Sequence, residues 1–430
     1  MENIAVVVLD TLRKDRFDTY FQDQLPGTTL EQAYTTSHWT VPACASLFTG
    51  QYASEVGVTQ SSTAIPEDVR TLPEAIQNAG YHTSMLTANP NLHLWDGWTN
   101  GFDTVYAERN IPTRADESLD VQQLMDEYGV SGIKSYSQIW LRCLFSRHPL
   151  ASLNHVFAES QRSPADGFAD AIAARLEDME FESENEFLFV NIMNSHSPYR
   201  TKDNGVVDAK TGDGFANTIS DPKSVVNAYD YDAERLANVY KRIHQRLENE
   251  FDVIITLSDH GECLGEYGMW NHGYGVFPEL AEIPVNVWGI DNLYHGDTPI
   301  SILDLHQTIA EKSGANVESR GVDISESIPD ANRLVEYHGL LGWHTDQFER
   351  KGVDQDTIEK CNSPRYGIVY QDGTYVYQTY EQEWVGDGKS NRYDNHLEQI
   401  LGTLETYERK KTDKKVSESA MERLEELGYA

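Results

Sequence analysis

The sequence predicts an α/β protein in which a mostly parallel sheet covered by helices is followed by a smaller antiparallel sheet. Three observations lead there. Short apolar runs recur at Ile4–Leu9, Thr83–Leu86, Phe187–Met193, Val253–Leu257 and Ile283–Trp288, the texture of strands buried on both faces. Helical patterns such as Leu72–Ala79 separate them, and that alternation implies a parallel sheet between helices. After about residue 330 the texture changes to period-two alternation over Arg365–Tyr380, with Asp372-Gly373 at its middle, a signal for a two-residue hairpin turn.

Taken in order, Ile4–Leu9 is valine-rich and ends at Asp10. Thr201–Ser224, rich in Gly, Asp and Asn, reads as a long surface loop. The clearest helix is expected from about Ala233 to Glu248, where Leu236, Val239, Tyr240, Ile243 and Leu247 share one face, and it leads into the Val253 strand. Ser419 and Glu422 form a capping box for a closing helix ended by Gly428. The expected organisation is a catalytic α/β domain over 1–330 and a small C-terminal subdomain over 331–430. Between Ser131 and Ala158 no acidic residue occurs, while Lys134, Arg142 and Arg147 sit among Trp140, Leu141 and Phe145. The region 131–160 therefore reads as a helical insertion packed on the main domain, or as a lid for an anionic or membrane-borne substrate.

The chain has 430 residues with 69 acidic against 34 basic side chains, a net charge of −35. Such a surface repels nucleic-acid phosphates, which excludes DNA or RNA as a generic partner. The carboxylates are spread along the whole chain, as expected of a halophilic protein working where salt screens their repulsion. Cys44, Cys143, Cys263 and Cys361 form no CxxC pair, so neither a disulfide framework nor a zinc knuckle is indicated. The N-terminal apolar run is too short for a signal peptide, and no stretch approaches the ~18–20 apolar residues of a transmembrane segment. A cytoplasmic location is expected.

Three segments carry chemistry. Asp10 closes the first strand; alone, an aspartate there caps or turns more often than it binds metal. Thr40 lies in His38-Trp39-Thr40-Val41-Pro42-Ala43-Cys44, where Pro42 suits the first turn of a helix and Thr40 would stand just ahead of it, at a terminus whose free amides favour an anion. Asp259-His260-Gly261-Glu262 follows an apolar strand directly, so two potential ligands leave the sheet together.

Together these segments resemble the sulfatase family of the alkaline-phosphatase superfamily. The resemblance extends through Thr71-Leu72-Pro73-Glu74, Gly101-Phe102-Asp103, His196-Ser197-Pro198-Tyr199, Trp270-Asn271-His272-Gly273 and Leu427-Gly428-Tyr429. It implies a doubly wound α/β domain with a small C-terminal sheet. It also implies Asp10, Thr40, Asp259 and His260 as ligands of one divalent ion; three oxygens and a nitrogen suit Mn²⁺ or Mg²⁺, with Zn²⁺ or Ca²⁺ as alternatives. Thr40, His196 and His272 are then the catalytic candidates, with His196 and His272 also binding substrate; Arg13 and His38, close to the site in sequence, are substrate-binding candidates that could supply charge, although a surface salt bridge explains Arg13 equally well. Asn89 and Asn91, after another strand, are weaker suggestions.

Two departures from the family pattern decide the expected chemistry. Threonine cannot be oxidised to formylglycine, because its Cβ carries a methyl group, and the arginine that accompanies the family's nucleophile is replaced by Cys44. Superfamily members with threonine here resemble phosphodiesterases and phosphotransferases. The expected enzyme attacks a phosphate mono- or diester of a sugar, lipid-linked group or nucleotide through a metal-activated Thr40. The alternatives are a sulfuric ester hydrolase without formylglycine, and an inactive binding protein on the same fold, which the loss of the arginine favours.

Overall fold

The computed structural model describes residues 1–107, 169–294, 296–388 and 390–407. The basic, apolar segment 131–158 with its lid reading, Cys143 and the closing helix at Ser419–Gly428 lie outside the described residues.

The strands that matter here are β1 (Ile4–Leu9), β2 (Thr28–Leu30), β3 (His82–Thr87), β4 (Thr104–Ala107), β5 (Glu186–Ile192), β6 (Val253–Leu257), β7 (Val285–Trp288), β8 (Arg333–Tyr337), β9 (Arg365–Val369), β10 (Tyr375–Gln378) and β11 (Trp384–Val385). The helices are α1 (Lys14–Tyr20), α2 (Thr40–Thr49), α3 (Leu72–Asn78), α4 (Ala169–Asp178), α5 (Pro222–Leu247), α6 (Ile302–Ser313), α7 (Gly342–Arg350) and α8 (Ser390–Leu401). Seven strands form the main sheet in the order β2-β7-β6-β1-β5-β3-β4. The residues of β1 alternate between two cores: Ile4, Val6 and Val8 face α2, α3 and α6, and Ala5, Val7 and Leu9 face α1, α4 and α5. Both faces of β1 are thus buried, which is why its sequence is continuously apolar.

β1 pairs in parallel with β5 and β6, and β3 in parallel with β4 and β5. The Ile283–Trp288 run, grouped with the parallel strands by sequence, forms β7 and runs antiparallel to β6 with Val285 opposite Leu257. Between the two strands the chain makes only the one-turn helix Pro278–Ala281 as regular helix besides a three-residue turn at Glu266–Gly268. The connection thus lacks the long helix that usually carries a parallel crossover, and the chain returns antiparallel.

The long helix differs from its expected extent as well. α5 begins at Pro222, where the Asp221 side chain accepts from Ser224 N, and Val225, Ala228, Tyr229 and Asp232 continue its buried face. The expected surface loop over Thr201–Ser224 also holds the short strand Val206–Val207 and the helix Thr211–Ala216, and its last residues are the start of α5.

β8, β9, β10 and β11 make the small antiparallel sheet. Its β9–β10 turn holds three residues rather than two: Gly373 N donates to Tyr370 O at 3.0 Å and Tyr370 N to Thr374 O at 2.9 Å. Gly373 takes the left-handed conformation (φ 85°) while Asp372 does not, so this is a type I turn closed by a glycine bulge instead of the turn that needs both central residues at positive φ. β8 is tied to the segment before α2, with Glu336 N donating to Thr36 O and Ser37 Oγ donating to Glu336 O, both at 2.8 Å. The C-terminal sheet thereby brings α7 beside the ends of the main-sheet strands.

Candidate metal centre and active site

Because β1 and β6 are parallel neighbours, the residues that follow them emerge side by side. Asp10 comes directly after β1, and Asp259 and His260 follow β6 by one residue. All three are fully buried, and one ligand atom from each lies within 4.8 Å of the others. His260 Nε2 is 3.6 Å from Asp259 Oδ2 and 3.9 Å from Asp10 Oδ1. Its Nδ1 lies 2.8 Å from the Gly261 carbonyl; a carbonyl only accepts, so Nδ1 carries the proton and Nε2 turns its lone pair to the carboxylates, the orientation a ligand histidine needs.

Amide groups hold each carboxylate through one of its oxygens. Asp10 Oδ2 accepts from Asn89 Nδ2 at 2.8 Å and Asn191 Nδ2 at 3.1 Å. Asp259 Oδ1 accepts from Thr11 N at 3.3 Å and His260 N at 3.1 Å, and the Thr11 contact requires a left-handed backbone (φ 60°), a conformation costly for a β-branched residue. Asp259 Oδ2 is buried without a hydrogen-bond partner. Burial pushes the Asp259 carboxyl up to about 6. Asp10 is raised by burial and by the neighbouring Asp259, against the pull of His196 and His260. Two adjoining buried carboxylates with an unpartnered oxygen and a facing imidazole lone pair fit a divalent cation.

Thr40 completes the cluster. It is the first residue of α2, after the extended Trp39, one position further into the helix than the sequence suggested. Its Oγ1 lies 3.3 and 3.4 Å from the Asp10 oxygens and 3.3 Å from His260 Nε2. Cys44, one turn on, is fully buried in the apolar core and its thiol is pushed well up by burial, so it brings no charge to the site.

The remaining candidates surround this cluster. The His272 ring centroid is 4.6 Å from that of His260 and 5.0 Å from that of His196, with His272 Nδ1 3.2 Å from Glu262 Oε1. His196 Nδ1 lies 2.5 Å from Ser197 O, and His38 Nδ1 lies 2.7 Å from His272 O. Burial lowers all three histidines, His38 to about 3, which makes them neutral donors and acceptors. Arg13 spends its guanidinium on Asp15, Glu266 and the Glu262 carbonyl, at 2.9, 2.7 and 3.1 Å. Asn91 instead accepts from Trp95 Nε1.

From His38, His196 and His272 a cleft partly open to solvent runs toward Lys210, Trp343 and His344. Several residues here escaped sequence reasoning. Asn191 was detectable in principle as a polar residue inside a continuously buried strand, and Glu262 stood within a recognised motif. Lys210, Thr211 and His344 belong to no local pattern.

Comparison with known proteins identifies the family and the fold. The family model described as Sulfatase matches residues 3–315. The low-salt glycan biosynthesis sulfotransferase Agl7 of Haloferax volcanii is 32% identical over 158 residues, which is 34% of this chain and 38% of that protein; the match thus spans less than half of either. The phosphonate monoester hydrolase of Silicibacter pomeroyi has a similar structure with TM-score 0.60 and 15% identity, covering 95% of this chain and 96% of that one. A protein solved with its substrate D-glucosamine-2-N,6-O-disulfate gives TM-score 0.57 at 14% identity, covering 99% and 98% of the two chains. The family match covers most of the chain, which therefore belongs to the sulfatase family, and the solved structures above share its fold.

Proposed function

We propose that this protein cleaves or transfers a phosphate ester through Thr40. The observation that carries the reading is the position of Thr40 Oγ1, 3.3–3.4 Å from Asp10 and His260, at the start of a helix and inside the carboxylate and imidazole cluster. Asp10, Asp259 and His260 would hold a divalent cation, Mn²⁺ or Mg²⁺ in this reading, which would supply Lewis acidity to lower the pKa of the hydroxyl and neutralise charge on the ester. An Asp10 oxygen takes the Thr40 proton as Oγ1 attacks phosphorus in line. The bond to the departing oxygen breaks, and that oxygen takes a proton from His272 or His196, which the incoming anionic ester has first drawn into the protonated form. Water or an acceptor alcohol then attacks the phosphothreonine from the vacated side and gives its proton to the same histidine, while the departing Thr40 Oγ1 takes its proton back from Asp10.

The protein assayed in high salt with Mn²⁺ on aryl phosphodiester, phosphomonoester and sulfate ester substrates should turn over a phosphate ester, and Thr40→Ala should abolish turnover with the fold intact. Rapid quench with ³²P-labelled substrate followed by peptide analysis should find the label on Thr40. Near wild-type activity in Thr40→Ala, or label on another residue, would overturn the mechanism.

A second reading, transfer or hydrolysis of a sulfate ester on a glycan, is favoured by the 32% identity to a glycan biosynthesis sulfotransferase. The same nucleophile and cluster serve it. Phosphoryl and sulfuryl groups add nearly equal mass, so ³²P against ³⁵S labelling of residue 40 decides between them.

A further inference from the structure

The turn that follows β1 is held by a helix far away in the chain. Leu12 N donates to Leu9 O at 3.1 Å, closing a four-residue turn with Asp10 and Thr11 at its centre. Thr11 takes a positive φ (60°) and Asp10 does not. A turn with its third residue at positive φ takes Gly or Asn there, whereas a β-branched residue bears the full steric cost. The conformation serves the cluster all the same, because it aims Thr11 N at Asp259 Oδ1, 3.3 Å away. Backbone strain of this kind persists only where surrounding contacts impose it.

Tyr229 supplies those contacts. Its hydroxyl donates to Thr11 O at 2.8 Å and accepts from Arg13 N at 2.9 Å, so one phenol satisfies a backbone group on either side of Leu12. Tyr229 is fully buried and lies 218 residues from Thr11 in sequence. Its mounting is firm. It stands on α5, which Asp221 caps, and next to it Asp230 Oδ1 accepts from Arg16 Nε of α1 at 2.7 Å. The Tyr229 ring meets that of Tyr199 edge-on at 5.3 Å, and the Tyr199 hydroxyl donates to Glu262 Oε2 at 2.7 Å, in the loop that carries Asp259 and His260. The two loops that bear the cluster are thus referred to the same helix.

We propose that Tyr229 is a positioning residue for the metal centre: by holding Thr11 in the left-handed conformation, it keeps the Asp10 and Asp259 carboxylates in the arrangement that receives a divalent cation. This role rests on the reading of Asp10, Asp259 and His260 as ligands and extends it to a residue outside the cluster. The ester chemistry makes no direct use of Tyr229, which acts through the turn.

Tyr229→Phe keeps the ring and removes the hydroxyl, and Thr11→Gly removes the cost of positive φ. The two substitutions form a cycle, with Mn²⁺ affinity read by titration calorimetry on chelator-treated protein in molar KCl. Tyr229→Phe should weaken Mn²⁺ binding about tenfold, the scale of losing a group that orients metal ligands. In a Thr11→Gly background its effect should be at least threefold smaller, because glycine keeps the turn without a clamp. Comparing Tyr229→Phe within each background removes the effect of the lost Thr11 hydroxyl, which donates to Asp10 O at 2.7 Å. No loss of affinity in Tyr229→Phe, or a loss as large in the Thr11→Gly background, would overturn the role. Denaturant unfolding of the metal-free proteins separates the clamp from the ligand reading. Tyr229→Phe should lower the unfolding midpoint more in the wild-type background than in the Thr11→Gly background, and equal falls would overturn the clamp. Should Tyr229→Phe fail to fold, the clamp requires the double variant to fold, and failure of both overturns it. If wild-type protein binds no Mn²⁺, the ligand reading fails while the unfolding midpoints still decide whether Tyr229 holds the turn.

Discussion

At the level of single residues, Asp259 separates charge from shape. Its Oδ1 is held by two backbone amides while Oδ2 faces His260 without a hydrogen-bond partner. Asp259→Asn preserves volume and the acceptor but removes the negative ligand, so Mn²⁺ affinity measured by calorimetry on chelator-treated protein should fall at least tenfold to a hundredfold. The metal-free variant should melt no lower than wild type, since a buried carboxylate raised to about 6 has been neutralised. Wild-type protein should bind one ion per chain; two would contradict a single centre. Gly261 tests the support of the same cluster. Its carbonyl orients His260, and a Cβ there would lie 1.9 Å from the Glu279 carbonyl oxygen. Gly261→Ala should therefore lower unfolding stability by about 1–3 kcal/mol and weaken metal binding, and a wild-type denaturant midpoint would count against this packing.

Among the elements, α5 carries an internal liability that should be visible in pH. Asp232 lies on its buried face, accepts from Arg200 N at 2.6 Å through Oδ2, and leaves Oδ1 without a hydrogen-bond partner. Burial raises its carboxyl to about 7. In the unfolded chain it ionises near the ordinary value of about 3.9, so the folded state holds the proton more tightly. Its destabilising contribution is absent below pH 4, grows between 4 and 7, and is complete above 7. Asp232→Asn should consequently raise the melting temperature more at pH 8 than at pH 5, and a gain that is equal at both, or larger at pH 5, would contradict the assignment.

Over the whole molecule, the charge of −35 on 430 residues is the dominant electrostatic fact. We expect the melting temperature to rise from dilute buffer to molar KCl, as screening shortens the reach of carboxylate repulsion to a few ångströms. An unchanged melting temperature between the two would remove the halophilic reading. No helix among the described residues is long and apolar enough to cross a membrane, in keeping with the absence of a long apolar run.

What the sequence by itself determined is whatever short-range signals encode. A valine-rich run ending in Asp10, an apolar strand followed by Asp259-His260, and Pro42 in a helix start marked three chain segments whose ends bear chemistry. Period and capping depend on neighbouring residues, so they can be read without knowing the fold. Tertiary structure alone decided the rest. Thr11 meets Asp259 across 248 residues of chain, β7 runs antiparallel with no long crossover helix before it, and Arg13 is engaged by Glu266 rather than standing free. The cleft lining pairs Thr211 with a helix delivered by the C-terminal sheet. Such contacts are set by strand register and by the packing of distant segments, for which the local sequence of either partner carries no mark.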